Sequence, residues 1–64
     1  MAAKTDSTTE RHDEPTPNGG VASVIYYLDG ERNAAPKSRA VAAVVVELDA
    51  GGNEVYRTHA RLAR

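Results

Sequence analysis

The chain predicts a small all-β domain: an antiparallel meander of three strands behind a disordered polar arm, completed by dimerisation or by a partner. Three observations predict it. Every Val, Ile, Leu and Tyr of the 64 residues lies between Val21 and Leu62. These residues gather into runs rich in β-branched and aromatic side chains, as strands do. The runs are punctuated by Asp29-Gly30 and by Asp49-Ala50-Gly51-Gly52-Asn53, which are turn signals.

The arm is residues 1–20. It holds Thr5, Ser7, Thr8, Thr9, Pro15, Pro17 and two glycines. Lys4 and Arg11 against Asp6, Glu10, Asp13 and Glu14 leave it at −2. With no Val, Ile, Leu, Phe, Tyr or Trp to bury, it cannot repay the entropy of ordering, so disorder is expected there. Residues 21–64 then form the β domain.

The first strand is Val21–Leu28. The second is Ser38–Leu48. A helix from Pro36 to Ala50 competes for this segment, because its alanines favour one. Val44-Val45-Val46 decides for the strand, where β-branched side chains keep their preferred χ1. The third strand is Glu54–Leu62. If Asp49 opposes Asn53 around a three-residue loop, Gly52 takes the left-handed position. Val46 then faces Tyr56, Val44 faces Thr58, Ala42 faces Ala60 and Ala40 faces Leu62. The other face pairs Glu47 with Val55, Val45 with Arg57, Ala43 with His59 and Val41 with Arg61. In the longer first hairpin, Leu28 opposite Ser38 sets Tyr26 against Ala40 and Val24 against Ala42. No internal repeat stands out.

One face of this sheet is apolar: Val24, Tyr26, Leu28, Val44, Val46, Leu48, Tyr56 and Leu62. A three-stranded sheet has no layer to cover such a face. Exposed apolar patches of that size mark interfaces, and chains this short commonly need a metal, disulfides or association. With no Cys, association remains.

Charge and composition exclude much else. Eight Lys+Arg against nine Asp+Glu give a net of −1, so no field of one sign steers a polyanion. The absence of Cys removes thiol chemistry and zinc fingers. The longest apolar run, Ala40 to Val46, is too short to span a bilayer, and the first twenty residues lack the apolar region of a signal peptide. A cytoplasmic protein with no membrane partner is expected. No phosphate loop, dinucleotide fingerprint or nucleophile elbow occurs, and neither Asp-containing turn has calcium-ligand spacing. His12 lies in the arm. His59 sits between Arg57 and Arg61, whose charges repel a metal. No catalytic residue, cofactor site or metal site is assigned, and the chain is not expected to be an enzyme. The expected function is protein–protein interaction as an accessory, adaptor or inhibitor, working through the apolar face as a homodimer or on a larger partner. The alternative is a nucleic-acid-binding regulator, with Arg39, Arg57, His59 and Arg61 as the basic contacts.

Overall fold

The computed structural model describes residues 7–62. They form four antiparallel strands in the order β1-β2-β3-β4: Thr9–His12, Ala22–Leu28, Ala42–Leu48 and Glu54–Arg61, with one 3-10 turn at Lys37–Arg39. The all-β meander stands, but with four strands where the sequence predicts three. Val44-Val45-Val46 lies in β3, so the helical alternative for the middle segment is not what forms.

The added strand comes from the polar arm. Thr9 opposes Tyr26 and His12 opposes Ser23 across β1 and β2. Residues 1–6 of the expected arm lie outside the described residues. An edge strand needs no apolar side chains when its backbone completes a ladder. Here the Tyr27 N–H donates to the Thr8 carbonyl at 2.8 Å, and the Lys37 N–H donates to the Ser7 carbonyl at 3.1 Å. Side chains reinforce it. The Tyr27 hydroxyl donates to the Glu10 carboxylate. Lys37 Nζ lies 3.5 Å from the same carboxylate and 5.9 Å from the Tyr27 ring centre.

This cluster has a titration signature. The hydrogen bond to Glu10, with burial added, pushes the Tyr27 hydroxyl up to about 12. The Tyr27 hydroxyl, seconded by the Lys37 charge, holds the Glu10 carboxyl below its usual value. A raised phenol pKa means that the neutral form is favoured in the fold. Its contribution is present below the unfolded value near 10 and is lost as pH rises through about 12. Ultraviolet titration of phenolate should therefore show one tyrosine ionising late, and Glu10→Gln should bring that step back toward the ordinary range. If the late step is unchanged in Glu10→Gln, the Glu10–Tyr27 bond is not its cause.

Both predicted registers need correction. In β2–β3, Leu28 opposes Ala42 rather than Ser38, Tyr26 opposes Val44 rather than Ala40, and Val24 opposes Val46 rather than Ala42. The chain closes a tight turn at Asp29–Asn33, bridges Leu28 to Ala34, and spends Lys37–Arg39 in a 3-10 turn before β3 begins. The displacement is an even number of residues, so each β2 and β3 side chain keeps its face. In β3–β4 the predicted loop forms: the Asp49 N–H donates to the Asn53 carbonyl at 2.9 Å, and Gly52 has φ 85°. However, Leu48 opposes Glu54 while Glu47 opposes Tyr56, so Val55 is an extra residue in a bulge. One extra residue inverts every side chain beyond it. Val46 therefore faces Arg57, Val44 faces His59 and Ala42 faces Arg61.

Two unlike faces result. On one, Tyr27, Ala40 and Ala43 form the core, with Ile25 and Leu62 packed against them. The connection from β2 to β3 covers this face at one end, where Ala35 and Ala40 are buried. The Thr16–Gly20 turn closes the other end over Glu47, which is 5% exposed. The layer that a bare sheet would lack is thus supplied by the chain's own connections.

Glu47 is buried but fully engaged. The Asn18 N–H and side-chain amide donate to its two oxygens at 3.0 and 2.8 Å. The Thr16 hydroxyl first, and then Asn18, hold its carboxyl below the usual range against the opposing effect of burial. A depressed carboxylate pKa contributes stability above the unfolded value of 4.5, and that contribution is lost as pH falls through the folded value. Glu47→Gln should lower the melting temperature at neutral pH and flatten its dependence on pH below about 4.5. An unchanged acid limb would assign acid unfolding to other carboxylates.

The two turns are structural twins. Asp29 Oδ1 accepts from the N–H groups of Glu31 and Asn33 at 2.8 and 3.0 Å, and Asp49 Oδ1 accepts from those of Gly51 and Asn53 at 2.9 Å each. The Arg32 N–H donates to the Asp29 carbonyl as the Gly52 N–H does to that of Asp49. The likeness extends upstream at an offset of 20 positions: Val21 and Val41, Ala22 and Ala42, Val24 and Val44, Leu28 and Leu48, Asp29 and Asp49, Asn33 and Asn53. The sequence reading finds no internal repeat. The structure shows one, a strand followed by an Asp-capped turn, twice. Sequence comparison alone obscures it because Tyr26, Tyr27 and Arg32 stand against Val46, Glu47 and Gly52.

Candidate functional site

Among the described residues, no strand or helix lies over the second face. β2 and β3 supply its middle with Val24, Tyr26 and Leu28 beside Val46, Val44 and Ala42, and Leu48 lies opposite Ala22. These six predicted interface residues of β2 and β3 do share a face. Tyr56 and Leu62 do not join them. The bulge turns Tyr56 to the covered side opposite Glu47, and Leu62 packs into the core cluster. Arg57, His59 and Arg61 take the places that the sequence assigns to Tyr56, Thr58 and Ala60, so the open face is an apolar floor with a basic border along β4.

The floor is concave. Val44 and Val46 are 8% and 5% exposed even without a covering layer, while Tyr26 stands 43% exposed above them. Together with Leu28, Leu48 and Arg57 they line a groove of about 530 Å³. Glu54 closes its border: Arg57 Nη2 donates to Glu54 Oε1 at 2.8 Å and Arg57 Nε to Oε2 at 3.0 Å. This bidentate pair depresses the Glu54 carboxyl. It also sets the Arg57 guanidinium against Glu54 at the groove wall.

At the Leu28 end the groove meets a second hollow of about 310 Å³, whose lining includes Leu28, Asp29, Arg32, Ala42, His59 and Arg61. The short side chain of Ala42 leaves this space between the tip of the first hairpin and the end of β4. Arg32 is the basic residue that sequence reasoning missed, because it lies in a turn and not on a strand face. Arg39, by contrast, is separate from this group. It lies in the 3-10 turn and lines a hollow with Asp29, Ala34, Ala35 and Pro36. Of the predicted nucleic-acid contacts, then, Arg57 is committed to Glu54 and Arg39 is elsewhere, leaving His59 and Arg61 together.

His12 lies on β1, with Nε2 3.9 Å from Glu10. Among the described residues there is no group of three His, Asp or Glu side chains that could hold a metal ion. No helix of the described residues is long and apolar enough to cross a membrane. No protein-family model, curated protein or solved structure matches the chain.

Proposed function

We propose that the protein is a binding module, and not an enzyme, that takes a segment of a partner protein on its open sheet face. The observation that supports this reading is the groove floored by Val44 and Val46 and walled by Tyr26 and Arg57. Such a site sets an exposed tyrosine and an arginine, side-chain types enriched among the residues that dominate interface energy, beside an apolar floor.

A second copy pairing along the β4 edge is disfavoured. In a two-fold antiparallel pairing of β4 with itself, residues of one face oppose residues of the same face. Arg57, His59 and Arg61 would then meet their own row, and like charges directly opposite are destabilising. A nucleic acid is less well served, since a chain of net −1 with Arg57 already paired offers few cations for phosphates.

Two tyrosines provide the test. Tyr26 and Tyr56 are 43% and 45% exposed, so replacing either costs the fold about equally, but they lie on opposite faces. Nonapeptides selected from a random displayed library against the whole chain should lose at least tenfold in affinity for Tyr26→Ser and keep it for Tyr56→Ser. Selected peptides that depend on Tyr56, or a library that yields no Tyr26-dependent binder, would sink the reading. A protein that sediments as a dimer in the wild type and as a monomer in Tyr26→Ser would make a second copy the occupant.

A further inference from the structure

We infer that the hollow between Arg32, His59 and Arg61 is a carboxylate subsite, so that the partner segment accepted by the groove is both apolar and acidic. This rests on the open face being the binding face. The hollow opens beside Leu28, which also lines the apolar groove, so one extended segment can lay apolar side chains on Val44 and Val46 and end an acidic one at Arg32 and Arg61.

Two independent observations carry it. The first is charge complementarity. The hollow is lined by Arg32, His59 and Arg61 with one carboxylate, Asp29, and Asp29 Oδ1 is already taken by the N–H groups of Glu31 and Asn33. None of the ion pairs among the described residues involves Arg32 or Arg61. Two guanidiniums without a partner carboxylate therefore border one small hollow, and guanidinium forks match carboxylates in a bidentate way. The second is backbone strain. Arg32 has φ 68°, the only non-glycine among the described residues in the left-handed region. Its twin in the second turn is Gly52, at φ 85°. The turn itself thus works with glycine, which adopts this conformation freely, whereas arginine adopts it at a cost. The gain from keeping a side chain there lies in what the side chain reaches, and what Arg32 borders is this hollow.

The twin turn also supplies the decisive variant. Arg32→Gly reproduces the Gly52 backbone, so the turn should keep its form and the melting temperature should hold or rise. The library-selected nonapeptides should be rich in Asp or Glu. Each should lose about tenfold in affinity when its carboxylates are changed to amides, and a similar factor against Arg32→Gly or Arg61→Gln. Amide resonances of Arg32, His59 and Arg61 should shift with the acidic peptides and not with their amide forms. Tyr26-dependent peptides that lack carboxylates, or that bind Arg32→Gly unchanged, would overturn the subsite while leaving the groove reading in place. Absence of any Tyr26-dependent peptide overturns both. A ten-nucleotide oligothymidine that shifts the same three residues and binds more tightly than the acidic peptides would overturn it in favour of a phosphate backbone.

Discussion

Gly20→Ala should destabilise the fold by about 1–3 kcal/mol, as overpacking of a closed contact does. A Cβ placed on Gly20 would lie 2.8 Å from the Leu48 carbonyl oxygen, 3.2 Å from the Leu48 nitrogen and 2.8 Å from Thr16 Oγ1. Two of these are backbone atoms of β3, so relief requires moving a strand and not a rotamer. The contact is close because two hydrogen bonds draw the segment in: the Val21 N–H donates to the Leu48 carbonyl at 2.8 Å, and the Gly20 N–H donates to Thr16 Oγ1 at 2.7 Å. Displacing Thr16 would also disturb the group that sets the Glu47 carboxylate, so the damage should spread to the acid limb of stability. For a domain of this size the melting temperature should drop by roughly 5–20 °C. Thermal melts monitored by circular dichroism decide it, with Gly30→Ala as control, since nothing lies within 4 Å of a Cβ there. Equal melting of the two variants would mean that the Thr16–Gly20 turn does not press on Leu48. The internal repeat sharpens the comparison. The twin of Gly20 is Ala40, wholly buried in the core. The same point of the repeat therefore excludes a methyl group in one copy and packs it in the other.

What the sequence shows of this architecture depends on where the information resides. β2, β3 and β4 are legible because Val24-Ile25-Tyr26-Tyr27, Val44-Val45-Val46 and Val55-Tyr56 strongly favour extended backbone, and the Asp49–Asn53 turn is legible from its glycines. β1 is not. Thr9-Glu10-Arg11-His12 has no apolar member, and its order comes from backbone pairing and from a contact between Glu10 and Tyr27 across 17 positions. The face of β4 is not legible either, because a bulge at Val55 leaves no mark in the residue pattern while inverting all that follows. This explains why the β2–β3 part of the candidate face survives intact and the β4 part exchanges Tyr56 and Leu62 for a basic border. Arg32 is hidden for another reason: as a polar residue in a turn it is unexceptional until it is set beside Gly52 in the twin. The offset of 20 positions, with Leu28-Asp29 and Leu48-Asp49 as anchors, is the one sequence signal that could have found it.

Gly52→Val should cost about 1–3 kcal/mol by placing a β-branched residue in the left-handed region. The penalty is one of backbone conformation and not of space, for nothing lies within 4 Å of a Cβ on Gly52. Gly52 also donates its N–H to the Asp49 carbonyl at 3.0 Å, so its φ of 85° is held by the turn that sets the hairpin. Asn, which tolerates this region, should cost less than Val. The neighbouring position behaves differently. A Cβ on Gly51 meets the Asn53 amide nitrogen at 3.1 Å and Asp49 Oδ1 at 3.5 Å, both ends of side chains that can give way. The twin of Gly51 is Glu31, whose own Cβ is accommodated while its N–H makes the same bond to the capping aspartate. Gly51→Ala should therefore be nearly neutral, within about 0.5 kcal/mol, as substitutions away from packed or strained positions are. Thermal melts of Gly52→Val, Gly52→Asn and Gly51→Ala measure the order directly. Should Gly51→Ala prove the most damaging, Gly52 does not hold the left-handed position, the equivalence of the two turns fails, and with it goes the expectation that Arg32→Gly preserves the first turn. If the order holds, any loss of peptide affinity in Gly52→Val should follow its loss of folding, whereas Arg32→Gly should lose affinity with its melting temperature intact.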